Sequence, residues 1–316
     1  VPALGEDLPG AFVLAAVEDL GCDASLVEEA PEADDGLVNL GCLLRDLGQT
    51  SEAIKVFESA LKRNPNTTRA LTCLTALLAK SGSRERAQEL SARAVGACPW
   101  DPIAVSNFRV TLSSTAEKPE RLFKLIRERR NESGDPVWDR SLAFLHLIKG
   151  EPSRSLDAAK ASLKAEPEGI AALWLAARAE LELAHFDSAL QRLELIERRF
   201  PTLLLAVLKL RAEIFFRQDA HAKRLTCYQT MIRMTRQDKE VWTGLIQSYL
   251  NVDRIKEARD ACDKALLRVG RNPEIRLMEV LVDLSEGALE TAWLKAYTLS
   301  RERPRAPDVQ QALKVA

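Results

Sequence analysis

Cysteine and histidine are the residue types in this sequence whose spacing could support chemistry. Six cysteines are scattered singly along 316 residues, and no two have the close spacing of a metal site. The three histidines lie far apart, and the sequence contains no Gly-rich phosphate loop, H-E-x-x-H or G-x-S-x-G motif. The sequence therefore predicts no catalytic residues, no cofactor and no metal site. The cysteines are Cys22, Cys42, Cys73, Cys98, Cys227 and Cys262, and the histidines are His146, His185 and His221.

Small and rigid residues recur at intervals of 34, which indicates a repeated structural unit. Between them, apolar residues follow the i, i+3, i+4, i+7 spacing of helices. Glycine suits a turn that needs positive φ, proline ends a helix, and alanine allows two helices to cross closely. Each unit therefore reads as a pair of helices, A and B. The recurring residues include Pro31, Pro65, Pro99, Pro167 and Pro201; Gly48, Gly82 and Gly150; and Ala53, Ala87 and Ala189.

The pattern resembles the tetratricopeptide repeat family, whose unit reads W-x2-L-G-x2-Y, then A-x3-F, then P. The first unit carries Leu37-x2-Leu40-Gly41-x2-Leu44, Ala53-x3-Phe57 and Pro65. A later unit carries Trp242-x2-Leu245-Ile246-x2-Tyr249 and Ala258-x3-Cys262. The resemblance implies an all-α fold, a right-handed superhelical solenoid of antiparallel helix pairs. It also implies that helices A line a concave groove that binds a peptide or helix of a partner protein.

The units divide the sequence into three parts. Eight units cover residues 34–306, starting near residues 34, 68, 102, 136, 170, 204, 239 and 273. The third and sixth are degenerate, because Arg121 and Lys223 replace the alanine of helix B. Residues 307–316 are either a capping helix or the start of a ninth unit.

Residues 1–33 form an acidic leader that keeps little of the repeat. Ten of the 46 acidic residues lie within the first 35 positions, which contain no Lys or Arg. All 45 basic residues therefore belong to the rest of the chain. The leader is interpreted either as an irregular cap on the first helix pair or as a segment, residues 1–30, that docks into the basic, apolar groove.

The register of the units predicts which side chains line the groove. Asn39 and Asn107 stand at the place where peptide-binding members of the family often use Asn to hold a peptide backbone. Cys42 and Cys73 map to groove-facing places on neighbouring helices A, where we interpret them as small groove residues. The middle units add an apolar strip flanked by basic residues, which is typical of a partner site. The predicted groove residues are Asn39, Arg69, Asn107, Arg140, Phe144, Trp174, Arg178, Leu208 and Lys209.

These features predict a non-enzymatic scaffold or adaptor that binds another protein. The alternative is the regulatory or substrate-presenting region of a larger enzyme, or of a secretion or polysaccharide-export assembly. A formal net charge of −1 argues against nucleic acid as a partner. No apolar run reaches the length of a membrane span, so no direct membrane insertion is expected. Scattered single cysteines favour a cytoplasmic location, with the periplasm or the cytosolic part of a membrane-associated assembly as alternatives.

Overall fold

Helices account for the whole regular structure of the residues that the computed structural model describes, which are 33–113, 119–303 and 305–315. The expected all-α repeat array is confirmed: 17 α-helices and one short 3-10 helix are present in these residues, without a strand. The leader and its proposed docking lie outside the described residues, apart from the start of the first helix. The helices are α1 (Ala33–Asp46), α2 (Thr50–Arg63), α3 (Thr68–Lys80), α4 (Arg84–Ala97), α5 (Pro102–Ser113), α6 (Pro119–Ser133), α7 (Val137–Ile148), α8 (Pro152–Ala165), α9 (Ile170–Glu182), α10 (Phe186–Arg199), the 3-10 helix Pro201–Leu203, α11 (Leu204–Arg217), α12 (His221–Met234), α13 (Lys239–Asn251), α14 (Ile255–Val269), α15 (Pro273–Ser285), α16 (Leu289–Glu302) and α17 (Pro307–Val315).

The helices belong to two compact units, Val1–Arg192 and Leu193–Ala316, with the boundary inside α10.

Three-residue turns join the two helices of most pairs, and their middle residue has positive φ. Gly48, Gly82 and Gly150 have φ of 79°, 86° and 73°, as the glycine pattern predicts. Ala184 and Asp219 adopt the same conformation at φ 58° without being glycine. The turn geometry is therefore kept even where the residue type is not, at a cost in backbone strain.

Alanine and glycine mark close helix crossings in the first unit. Ala53 and Ala87 are fully buried in α2 and α4. Across from α2, a Cβ on Gly41 would lie only 2.6 Å from the Phe57 ring, so the ring packs directly on the α1 backbone. The predicted role of small residues at these crossings agrees with this packing.

The arrangement around the third pair, α5 and α6, is irregular. Helix α7 of the fourth pair packs directly against α4 of the second pair. A Cβ on Gly96 of α4 would lie 2.5 Å from the carbonyl oxygen of Val137, which shows how closely the two helices approach. Arg140 Nε donates to the Gly96 carbonyl at 2.8 Å, and Ser141 Oγ donates to the Ala92 carbonyl at 2.7 Å. Helix A of the fourth unit thus contacts helix B of the second.

Helix α6 lies along both α4 and α7. Its apolar residues Leu122, Phe123 and Ile126 are buried. Arg121, at the place of the missing alanine, is exposed and forms an ion pair with Glu85 of α4. A long charged side chain at this place cannot enter a close helix crossing, which agrees with the predicted degeneracy of the unit.

The second unit contains regular pairs. Helices α11 and α12 pack through Leu208, Ala212, Cys227 and Met231 although Lys223 replaces the alanine. In the same unit, Asp238 caps α13 and Asn272 caps α15 by accepting backbone N–H bonds. Helix α17 packs on α15 and α16 through buried Val309 and Ala312. Both interpretations of residues 307–316 stay open.

Candidate protein-interaction surface

Exposed and half-buried side chains of α1, α3 and α5 form a continuous surface in the first unit. We call it the A-helix face, because these are the first helices of three successive pairs. Contacts between the helices bring the side chains together: α1 contacts α3, and α3 contacts α5. The face consists of Asn39, Arg45, Arg69, Cys73, Ile103, Ser106, Asn107 and Val110.

Two guanidinium groups give the face its basic character. Arg69 NH1 donates to Asn39 Oδ1 at 2.9 Å across the gap between α3 and α1. Arg45 pairs with its neighbour Asp46 at 2.8 Å and also donates to Cys73 Sγ at 3.4 Å. Because Asn39 and Arg69 are exposed, both keep hydrogen-bonding capacity for a ligand.

Helix α5 contributes apolar surface to the face. Asp101 caps its start by accepting the N–H of Ile103 at 3.1 Å. Phe108 is buried on one side of the helix, whereas Ile103 and Val110 are 61% and 57% exposed on another. Because they are seven residues apart, these two lie on one helix face. An exposed isoleucine and valine beside arginines suit a ligand with both apolar and acidic groups.

Asn39, Arg69 and Asn107 are the predicted groove residues that the A-helix face brings together. Asn107 is half-buried, and its Nδ2 donates to the Thr72 carbonyl at 3.0 Å, so it ties α5 to α3. The Asn107 amide therefore holds α5 against α3 and is also part of the A-helix face.

Three other predicted groove residues are buried, which corrects the expectation that they line an open surface. Arg140 is 6% exposed, and its NH1 pairs with Glu166 at 2.6 Å in addition to the Gly96 bond. Phe144 is 7% exposed and packs edge-on against Phe108 at 5.5 Å between ring centroids. In the second unit, Leu208 is 5% exposed within the α11–α12 packing.

The remaining predicted residues belong to helices other than those of the A-helix face. Trp174 of α9 is half-buried, with its ring centroid 6.3 Å from that of Trp100, and its Nε1 has no partner in the described structure. Arg178 pairs with Glu182 of the same helix at 3.6 Å. Lys209, in the second unit, is exposed and pairs with Asp238 at 3.2 Å and Glu240 at 3.5 Å. Their contact with a partner stays a prediction.

Four members of the face, Arg45, Ile103, Ser106 and Val110, are absent from the predicted set, and Cys73 was predicted only as a small groove-facing residue. The available signal was the place of these residues in the 34-residue unit, where all of them fall on groove positions of helix A. The aromatic and basic residues of the middle units carried a stronger compositional signal, but burial removes several of them from the surface.

Metal-binding clusters and membrane-spanning helices are both absent from the described residues. They contain no group of three or more His, Cys, Asp or Glu side chains that could hold a metal ion. Among the same residues, no helix is both long and apolar enough to cross a membrane.

Comparison with known proteins supports the fold class. A sequence model of the tetratricopeptide repeat matches residues 34–67, whereas no curated protein sequence matches the chain. A tetratricopeptide repeat protein from Parabacteroides merdae is 14% identical, with a TM-score of 0.47 over 89% of this chain and 98% of that one. A chain of the APC/C hetero-tetramer Cut9–Hcn1 is 14% identical, with a TM-score of 0.52 over 97% of this chain and 61% of that one.

The chain is thus a helical repeat protein. Residues 34–67 are a tetratricopeptide repeat, and the predicted resemblance of the array to that family is confirmed. Proteins of this fold generally mediate protein–protein interactions. The structural likenesses, at 14% identity, concern the fold alone.

Proposed function

We propose that this protein is a binding scaffold whose A-helix face holds a peptide segment of a partner protein. The observation that carries the proposal is that Asn39, Arg45 and Arg69 lie on α1 and α3, and that Ile103 and Val110 are exposed on α5, which contacts α3. A partner that combines acidic and apolar side chains would satisfy both kinds of group.

The hydrogen-bonding groups favour an extended segment. Asn39 presents an exposed amide, and amides can pair with the N–H and C=O groups of a peptide backbone. Arg69 already donates to Asn39, so a carboxylate of the partner would replace or share that bond with a charge-assisted one. Ile103 and Val110 would lose contact with water on binding, which supplies a hydrophobic contribution.

The acidic leader has the same chemistry as this proposed partner. Residues 1–30 contain the stretch LPGAFVLAAVEDL among several acidic residues. We propose its docking on the A-helix face as an internal competitor for the partner. Deleting residues 1–30 should then raise the affinity for a partner peptide, and high salt should loosen the docking of the leader because it screens the docking charges.

The alternative role, in a larger enzyme or a secretion or export assembly, would use the same surface. The test therefore addresses the A-helix face, which both roles share. Peptides that are selected from a random library for binding to the full chain should combine acidic and apolar residues. Arg69→Ala should weaken their binding at least tenfold in fluorescence polarisation, as should Ile103→Asp, whereas Lys55→Ala on the exposed side of α2 should not.

Circular dichroism should show unchanged helicity in all three variants. Selected peptides that bind Arg69→Ala and Ile103→Asp as well as the unaltered protein would contradict the proposed surface.

A further inference from the structure

Two thiols touch on the A-helix face. Cys42 Sγ of α1 and Cys73 Sγ of α3 lie 4.0 Å apart, although the residues are 31 positions apart in the sequence. Cys42 is buried beneath the surface and Cys73 is half-buried within it. A disulfide needs a sulfur separation of about 2 Å, so each sulfur would have to move by only about 1 Å.

The surroundings of Cys73 favour it as the thiol that reacts first. It is more accessible than Cys42, and Arg45 NH1 donates to its sulfur at 3.4 Å. A neighbouring guanidinium stabilises a thiolate. Burial acts in the opposite direction and raises the pKa of Cys73 above its usual range, with Cys42 adding to the rise and Arg45 and Arg69 reducing it. Thiolate formation, and with it oxidation, should therefore become faster as the pH rises.

The pKa values of the other described cysteines are raised as well. Burial raises the pKa of Cys98 and Cys227 to about 11 and that of Cys262 to about 12. Cys227 and Cys262 are buried in the packing of the second unit, as their place in helix B predicts. These thiols stay protonated at neutral pH and serve as internal controls.

We propose that Cys42 and Cys73 are a modification site, which a low-molecular-weight disulfide such as oxidised glutathione converts to an intramolecular disulfide. The Cys73 thiolate attacks one sulfur of oxidised glutathione, forms a mixed disulfide and releases one glutathione thiolate. Cys42, after losing its proton, attacks the Cys73 sulfur and releases the second glutathione thiolate. The two cysteines lose two electrons and two protons, and oxidised glutathione gains them as two molecules of reduced glutathione.

The disulfide would join two neighbouring helices A in the middle of the A-helix face. It would fix α1 relative to α3 and remove the Cys73 thiol that Arg45 contacts. The chemical step is independent of the proposed function, and only its effect on a partner rests on that proposal. Oxidation is expected to change the affinity of the selected peptides at least threefold.

The test is to incubate the full chain with oxidised glutathione at about pH 8.5, where thiolate is more abundant. Remaining thiols are then alkylated and the peptides analysed by mass spectrometry without reduction. We expect a cross-linked peptide pair containing Cys42 and Cys73, while Cys98, Cys227 and Cys262 remain alkylated. In Cys42→Ser, a glutathione adduct should accumulate on Cys73, and Cys98→Ser should form the Cys42–Cys73 disulfide at the normal rate.

Recovery of Cys42 and Cys73 as alkylated thiols, or a stable glutathione adduct on Cys73 of the unaltered chain, would overturn the proposal. The outcome is separable from that of the proposed function. If no disulfide forms but Arg69→Ala still weakens peptide binding, only this inference fails. If the disulfide forms and no selected peptide binds the A-helix face, the modification site stands and the proposed function fails.

Discussion

The second and third helix pairs lie side by side in the first unit, yet only the second is regular. In the pair α3–α4, Ala87 is fully buried and a three-residue turn with Gly82 at positive φ joins the helices. In the third pair, Arg121 takes the alanine place and stays exposed, and the helices α5 and α6 are separated by residues 114–118, which lie outside the described structure. The pair α3–α4 therefore combines a close crossing with a tight turn.

The sixth pair shows that a charged residue at the alanine place does not open a pair by itself. Lys223 stands there, yet α11 and α12 pack together and share the three-residue turn with Asp219 at positive φ. The ammonium group of Lys223 lies 5.7 Å from the centroid of the Phe215 ring, where a cation is favoured. The third pair lacks the alanine, and its arginine pairs with Glu85 of α4 instead.

The irregular pair also bears on the proposed partner site. Because α7 packs on α4, Arg140 and Phe144 become part of the interior and do not extend the A-helix face of α1, α3 and α5. A regular array would have given α7 the same exposure as α3. The third pair, in which Arg121 replaces the alanine, is thus also the place where the exposed A-helix face on α1, α3 and α5 is followed by the buried side chains of α7.

The largest expected effect comes from filling the space between α4 and α7. Gly96→Leu should lower the free energy of unfolding by about 3 kcal/mol, at the upper end of overpacking effects, because a Cβ would meet a carbonyl oxygen at 2.5 Å. Urea unfolding followed by circular dichroism measures the change. Glycine in a helix is intrinsically unfavourable, so an unchanged or raised stability would show that α7 does not approach α4 in this way.

The next largest effect on stability is expected at the position of helix B that holds alanine in the regular pairs. Substitutions there test the difference between the regular pairs and the third and sixth pairs. Ala53→Leu and Ala87→Leu should each lower the free energy of unfolding by roughly 1–3 kcal/mol, because both sites are fully buried. Arg121→Leu and Lys223→Leu serve as matched controls, and their exposed sites should respond within about 0.5 kcal/mol. Similar losses at all four positions would mean that the four sites share one environment, contrary to the structure.

Turn strain gives the smallest effect. Gly82→Ala should lower the free energy of unfolding by about 1 kcal/mol, since a Cβ at positive φ is strained even where it meets no neighbour. Ala184→Gly, in an equivalent turn, should raise it by a similar amount because it relieves that strain. Thermal melts of the two variants should therefore shift in opposite directions. Shifts of the same sign would argue against a common turn geometry.

Sequence periodicity predicts the helices, turns and small-residue crossings well because these depend on local residue types. Gly48 and Gly82 indicate their turns, and Ala53 indicates its crossing, without knowledge of distant contacts. Gly96 gives no comparable signal, since its role depends on which helix lies next to α4. Arg140 reads as a surface residue because arginine is rarely buried, and only the Gly96 carbonyl and Glu166 explain its position.

Paired measurements of binding and melting on two variants test the central claim most directly. Arg69→Ala alters the A-helix face, and Phe144→Leu alters the interior beneath α5 and α7. We predict that Arg69→Ala weakens binding of a selected peptide at least tenfold at an unchanged melting temperature. Phe144→Leu should lower the melting temperature by several degrees at an unchanged affinity, because it removes a buried ring contact. The reverse result, with affinity lost in Phe144→Leu and kept in Arg69→Ala, would contradict the account and return the partner site to the middle helices.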